Sequence, residues 1–589
     1  MAKKPAADAA APPAPTFIYD NVPPNPASTP LHFHLGLCMA GAVSAGAYTA
    51  GVLDFLIEAM DAWQAAKDAR QAVPGHHVHL SALSGASAGG MCAAILLAVL
   101  DRDFPPARDP DSCKLNPLWQ AWVEQPRIED LLDLSDRGPG RPLTSLLNVG
   151  VLRRIVDGVL AGTPRATRRA WVNPSLPLAL SVGNLRGVPY GMVLGGAAET
   201  AVQARHRMRM HADWVGFVRG AAQPRFGDMV ELGSPSAPDI QAWQDLGLAA
   251  LASGAFPLAL EARLLARSGG DYAKRQVLVP GDGHPCSMHR LPRVAHLSPD
   301  WPGRDAPDPY RFLAVDGGVF DNEPLDLCRA LLVDKPGQRL VRDGLHVDRS
   351  VLMIDPFPDE VGAGPDKPVP LHRLIMPLID AWKMQCRFGA TDIALARAPD
   401  VFSRVMIFPS RGSDDHVATG GPLASGGLGA FLGFLHRDFR AHDFQLGRRN
   451  CQSFLAKHLA LPARNPLFEP RYRATPPTDP YAEARAKVWS DVTKGRSELA
   501  DFRPVVPLVG DCATPLPLPA WPKGRFDPEA LRARIRRRLD AVVQDVLRDS
   551  GLGMGWWLVA NGVWRAKAGG VEQAAVSAIR GALAQKNLD

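Results

Sequence analysis

VHLSALSGASAGGMCAAILLAVL (Val78–Leu100) changes its pattern halfway along. Val78–Leu83 reads as a buried strand. Ser84–Ala88 is a sharp turn of small residues, and Met91–Leu100 continues as an apolar helix. The same layout stands just upstream. Leu31, Phe33, Leu35 and Leu37 alternate with His32, His34 and Gly36, a period-2 strand signal. A loop of small residues follows from Met39 to Gly46. A helical run then extends from Ala47 to about Ala72, with Val52, Leu53, Leu56, Ile57 and Met60 at helical spacing. Two successive strand–loop–helix units predict an α/β fold with a mostly parallel sheet.

Composition sets the outer limits. The 589 residues allow roughly two to four domains, or one large domain with elaborations. A hydrophobic fraction of 46% and a charged fraction of 21% suit a chain that buries a core. The 54 glycines and 55 prolines fall short of collagen-like or wholly disordered usage. A net charge of +6 fits docking on an anionic membrane and is weak for nucleic-acid binding. The eight cysteines are scattered without a CxxC pair, which points to a reducing compartment. His284, Cys286 and His289 lie close together, but no second cluster completes a metal shell. No run of about 18 apolar residues predicts a transmembrane helix. The nearest, residues 246–260, is short and broken by Pro257.

These signals divide the chain into three parts. Residues 1–30 hold eight Pro and eight Ala and read as a disordered tail. Residues 31–330 carry the α/β pattern, with a Pro-, Asp- and Arg-rich insertion at 105–150 read as a cap. Further strands are expected at Leu176–Val182, near Met192–Leu194 and at Phe312–Val315, with a helix at Ile240–Ala252. Residues 331–589 form an extension with a last sheet strand near Ser350–Ile354, then mostly helices at 369–396 and about 427–459. The charges of Asp438–Phe444, with Arg448 and Arg449 after them, read first as a solvated helix face with internal ion pairs and second as shaping a pocket. After a Pro-rich linker (504–522), Asp527 and Pro528 start another helix. Its apolar stripe is Leu531, Ile535, Leu539, Val542, Val543 and Val546, and Arg532, Arg534, Arg536, Arg537 and Arg538 crowd the other faces. It reads first as a packed surface helix and second as a basic helix on anionic lipid. Trp556, Trp557 and Trp564 follow as core residues or interfacial anchors.

Three elements carry chemistry. Gly85-Ala86-Ser87-Ala88-Gly89 is a G-x-S-x-G turn. A nucleophilic serine in a tight strand-to-helix turn needs small neighbours, and the helix start directs N–H groups towards developing negative charge. Gly41-Ala42-Val43-Ser44-Ala45-Gly46 is a small-residue loop able to converge N–H groups on an oxyanion. It fails the dinucleotide pattern G-x-G-x-x-G because Val43 takes the middle glycine's place. Val315-Asp316-Gly317-Gly318, followed by Asn322 and Pro324, ends a buried strand on a carboxylate. By itself it equally suits a plain Asx-type turn.

In this order the three resemble the patatin-like phospholipase family: a Gly-rich oxyanion loop, a G-x-S-x-G nucleophile and a D-G-[GA] motif. Ala47-Tyr48-Thr49-Ala50-Gly51-Val52-Leu53 and Ala252-Ser253-Gly254-Ala255-Phe256-Pro257 are further echoes, and the resemblance covers roughly residues 33–330. It implies a three-layer α/β/α domain and a Ser–Asp dyad of Ser87 and Asp316. The implied oxyanion donors are the backbone N–H groups of Gly41, Ala42 and Val43, with Ala88; Gly46, Gly85, Gly89, Gly317 and Gly318 are the motif glycines. The chain departs from the family's G-G-G-x-[RK]-G loop: Ala42 and Val43 replace two glycines, and Ala45 stands where a basic residue is usual. The implied activity is hydrolysis of lipid acyl esters, phospholipids foremost, with no metal or cofactor. The implied setting is cytoplasmic, peripheral at a membrane. A Ser–Asp–His triad using His346, His372, His416, His436, His442 or His458 is the competing enzyme reading. A non-catalytic lipid-binding scaffold is the competing reading from another class.

Overall fold

The computed structural model describes residues 29–138, 143–160, 169–192, 206–220, 227–234, 237–279, 293–302, 305–333, 340–357, 366–370, 401–412, 421–470, 479–493, 501–550 and 554–589, with isolated residues between. The expected N-terminal tail up to residue 28, the His284/Cys286/His289 group and most of the helix expected at 369–396 lie outside the described residues.

In chain order the framework is β1 (His32–Met39), α1 (Gly46–Asp68), β2 (His77–Gly85), α2 (Ser87–Val99), α3 (Gly150–Leu160), β3 (Leu176–Met192), β4 (His206–Arg219), α4 (Ile240–Ser253), β5 (Arg263–Arg267), β6 (Tyr310–Asp316), α5 (Leu325–Leu332), β7 (Arg349–Ile354), β8 (Arg404–Ile407), α6 (Arg437–Lys457), α7 (Arg532–Asp549) and α8 (Met554–Gln585). The central sheet runs β8-β7-β1-β2-β3-β6-β5, with β4 beside β3. The strands from β8 to β3 are parallel. The β3–β4, β3–β6 and β6–β5 pairings are antiparallel.

Burial explains the layering. Phe33, Leu35, Leu37 and Met39 of β1 join the large core beneath α1 and α2. On the other face, Cys38 packs with Leu325, Cys328, Leu331 and Leu332 of α5. Helices on both faces of a mostly parallel sheet make a three-layer α/β/α arrangement, with helices predominating towards the C-terminus. The stretch expected as two strands at 176–182 and near 192 is one strand, β3, paired with β4 on both sides of an irregularity between Gly183 and Val188, and the strand expected to be last, β7, is followed in the sheet by β8. By length and composition Val43–Asp68 could cross a membrane, yet 89% of its apolar window is buried inside the fold.

The start of α6 keeps its charges in solvent, where Arg437 pairs with Asp438. Further along, Arg440, Asp443 and Arg448 are buried, against the expectation of a solvated face. Arg448 pairs with Asp54 and Glu58 of α1, and Arg440 donates to the carbonyls of Val123 and Gly433. Asp443 accepts the N–H groups of Ala424 and Ser425. Buried charges persist only when so partnered. Glycines let α6 and α1 approach closely. A Cβ on Gly51 would lie 1.9 Å from the Phe444 carbonyl oxygen, and one on Gly447 would lie 2.2 Å from that of Tyr48.

α7 packs as a surface helix. Leu531 and Ile535 are buried, and Arg538 is held by Asp136 and the carbonyls of Asp133, Ser145 and Leu146. Asp527 caps the turn before it by accepting the Glu529 N–H.

Candidate active site

β2 ends at Gly85 and α2 starts at Ser87, so the serine sits on the turn itself. Its φ is +53°, in the left-handed region. A non-glycine residue there is strained and must be held by its surroundings. Two features hold it. A Cβ on Gly89 would lie 2.2 Å from the Met39 carbonyl oxygen, so only glycine lets the turn sit against β1. The Ser87 N–H donates to Ser253 Oγ at 3.0 Å, and Ser253 Oγ donates to the Ser181 carbonyl at 2.7 Å.

Asp316 reaches the same place from β6, whose end pairs with Val182 of β3. Its N–H donates to Ala255 O at 2.9 Å. Its Oδ1 accepts the Gly318 N–H at 2.7 Å, and its Oδ2 accepts the Ser87 hydroxyl at 2.7 Å. The two side chains are 229 positions apart in sequence, and the residues are 6% and 2% exposed. The segment Ala252–Ala255 therefore positions both residues, Ser253 for the serine and Ala255 for the aspartate. That pairing was not legible beyond its motif. Ser253→Ala leaves the Ser87 N–H and the Ser181 carbonyl without this partner. The expected cost is about 1–3 kcal/mol of stability, read from a urea midpoint, with a lower kcat at little-changed KM.

In the loop Gly41–Gly46 one of the expected donors is already engaged. The Gly41 N–H donates to the Asn322 carbonyl at 3.1 Å and so is removed from the donor set. The N–H groups of Ala42, Val43 and Ala88 have no protein acceptor among the described residues. Val43 has φ +48°. A β-branched residue in that region is strained, at the position where the family pattern has glycine. The C-terminal half holds the loop there. Ser44 N–H donates to Ala430 O at 3.2 Å, the Ser44 hydroxyl donates to the same carbonyl, and Gly433 N–H donates to Ser44 Oγ at 3.1 Å.

Beside Ser87 lies a narrow pocket, and apart from that serine its lining side chains are apolar. α2 supplies Met91 and Ile95, α3 supplies Ile155 and Val159, and α4 supplies Leu246; Trp122 and Pro126 of the 105–150 insertion also line it. Phe434 lines it from the C-terminal half.

Asn322, which holds Gly41, also donates from Nδ2 to Glu323 Oε1 at 2.7 Å. Burial pushes the Glu323 carboxyl up to about 7, against the pull of Arg387, 2.8 Å away. A carboxyl raised in the folded state favours folding while protonated. That advantage is full below its unfolded value of about 4.3 and is lost as pH rises through about 7. Urea midpoints at pH 5 and 8 are expected to shift in favour of Glu323→Gln over wild type as pH rises, by at most about 1.4 kcal/mol per pH unit.

Four of the six histidines named for a triad are engaged elsewhere. His346 pairs with Asp343, His436 caps α6, His442 binds Asp443 and His458 stacks on Phe454. His372 and His416 lie outside the described residues. The Ser87 hydroxyl is bonded to Asp316 and to no histidine among the described residues.

Comparison with known proteins places the chain in a family. A protein described as uncharacterized protein y4iI, from Sinorhizobium fredii (strain NBRC 101917 / NGR234), is 35% identical over 550 residues, 87% of this chain and 76% of its own. The crystal structure of VipD from Legionella pneumophila aligns with 95% of this chain and 90% of its own at 12% identity. Its TM-score of 0.19 is too low to bear on the fold or the function. Residues 37–329, which contain Ser87, Asp316 and the loop at Gly41–Gly46, match the sequence profile of the patatin-like phospholipases. The chain belongs to the patatin-like phospholipase family, whose general activity is lipid acyl hydrolysis.

Proposed function

We propose that the protein hydrolyses lipid acyl esters, phospholipids foremost, with Ser87 as nucleophile and Asp316 as the only general base. One observation carries the reading: the Ser87 hydroxyl donates to Asp316 Oδ2 at 2.7 Å beside an apolar pocket. Ser87 Oγ attacks the ester carbonyl carbon while its proton passes to Asp316 Oδ2. The N–H groups of Ala42, Val43 and Ala88 receive the oxyanion, each worth about 3 kcal/mol of barrier. The tetrahedral species collapses as Asp316 returns the proton to the leaving alkoxide oxygen, and the acyl group stays on Ser87. Water then attacks the acyl-enzyme and gives a proton to Asp316. Asp316 passes that proton to Ser87 Oγ as the fatty acid leaves. The Gly318 N–H on Oδ1 keeps Oδ2 aimed at the serine throughout. The setting that suits this chemistry is the cytoplasmic surface of a membrane.

The test is a fluorophosphonate probe on the full chain, with mass spectrometry of lipids released from mixed phospholipid vesicles. Label on Ser87 and released fatty acid support the reading. Neither label nor hydrolysis, in detergent or in vesicles, would sink it and leave a lipid-binding scaffold with this fold.

A further inference from the structure

α8 is a 32-residue helix with two unlike faces. Its inner face is docked on α7. Glu572 pairs with Arg532, and Trp564 Nε1 donates to Asp540 at 2.8 Å. Its outer face is apolar and uncovered among the described residues. Leu558, Val559 and Val563 are 59%, 56% and 56% exposed. Gly562, Ala566, Gly570 and Ala574 recur every four residues on that face, all exposed, and a Cβ on Gly562 or Gly570 would meet nothing. α7 and α8 run antiparallel. The register that brings Arg532 to Glu572 and Asp540 to Trp564 places Val546 opposite Leu558, and Val546 is 62% exposed. The apolar patch therefore spans both helices.

On α8 the charges around the patch have one sign, whereas beside Val546 on α7 both Arg548 and Asp549 are exposed. Arg565 and Lys567 are exposed and make no ion pair among the described residues. At about 100° per residue they flank Ala566 on its two sides. No Asp or Glu occurs between Met554 and Val571. An antiparallel contact with a second copy, centred on Ala566, would set these cations against their own equivalents. An anionic bilayer meets both features at once, because a helix with an apolar stripe and basic flanks lies in the headgroup region. The C-terminal end of α8 packs on the turn Leu432–Leu435, whose Phe434 lines the cavity, so the patch and the cavity belong to one packed unit.

We propose that this face of α8, with Val546 of α7, seats the protein on anionic phospholipid bilayers. The apolar stripe enters the boundary between headgroups and acyl chains, and Arg565 and Lys567 pair with lipid phosphates. The choice of a bilayer rests on the reading of the substrate as a lipid.

The test is flotation of full-length Ser87→Ala protein, which consumes no lipid, on phosphatidylcholine vesicles with and without phosphatidylglycerol at low and high salt. The protein is expected to float with the phosphatidylglycerol vesicles, less so at high salt. Adding Val559→Glu with Val563→Glu is expected to cut the bound fraction about tenfold or more, and Arg565→Glu with Lys567→Glu to remove the phosphatidylglycerol preference. In the otherwise wild-type chain, the two Val→Glu changes are expected to leave the melting curve and the hydrolysis of a soluble short-chain ester unchanged. No flotation of the parent, or undiminished flotation of the Val→Glu variant, overturns the proposal. A dimer that the Val→Glu changes dissociate, without vesicle binding, assigns the face to a second copy and also overturns it. Flotation without any hydrolysis by the wild-type chain strikes the hydrolase reading and leaves the docking face standing.

Discussion

Replacing Ser87 by alanine is expected to lower kcat for acyl-ester hydrolysis by about 10⁴-fold or more and to abolish fluorophosphonate labelling. Asp316→Asn is expected to cost nearly as much. Asparagine still accepts a hydrogen bond from the Ser87 hydroxyl but takes no proton, so the 2.7 Å contact survives in form and fails in chemistry. Because the two groups act as one unit, the double variant is expected to be no slower than the worse single one. Initial rates on p-nitrophenyl esters, with each variant's melting curve as a control, give the comparison. Alanine at His346, His372, His416, His436, His442 or His458 is expected to leave most of the activity. Loss of activity in one of these with fold intact, alongside a mild Asp316→Asn, would transfer the base to that histidine.

The second large effect concerns stability. Gly447→Val is expected to cost about 3 kcal/mol or more, because its Cβ would lie 2.2 Å from the Tyr48 carbonyl and 3.0 Å from the Val52 nitrogen, both in the backbone of α1. Backbone inside a packed helix cannot step aside as a flexible side chain can. Separating α1 from α6 would also strain the buried pairing of Arg448 with Asp54 and Glu58. Gly158→Ala is the control. It is also a helical glycine, but its Cβ would meet nothing, and a gain of about 1 kcal/mol is expected. Denaturant midpoints of the two variants give the contrast.

What could be read in advance was whatever short-range pattern encodes. The alternation from Leu31 to Leu37, the G-x-S-x-G turn before an apolar helix and Asp316 at a strand end each carry their meaning within a few residues. The structure places the Ser87 hydroxyl 2.7 Å from Asp316 Oδ2, a pairing that came from the family resemblance and not from either pattern alone. Long-range partners were not legible. Nothing near Gly41 announces that its N–H is used by Asn322, and nothing near Ser44 announces Ala430 and Gly433. The charges of α6 misled for the same reason. Arg440 and Arg448 look solvated until their partners arrive from Val123, Asp54 and Glu58, over 300 positions away. The substitution of Val43 for a glycine was visible, but only the observed φ of +48° shows that the strain is accepted and not avoided.

The sheet order has a bearing on how this chain is made. β1 lies between β2 and β7, and its His34 pairs with Arg349. About 315 residues separate them, so at ribosomal speeds of about 5–20 residues per second one edge of this interior strand waits some 15–60 s for its neighbour. Throughout that interval it is a bare template that any nascent chain can zip onto. The sheet order therefore asks the growing chain to keep one interior strand edge from foreign partners until β7 arrives.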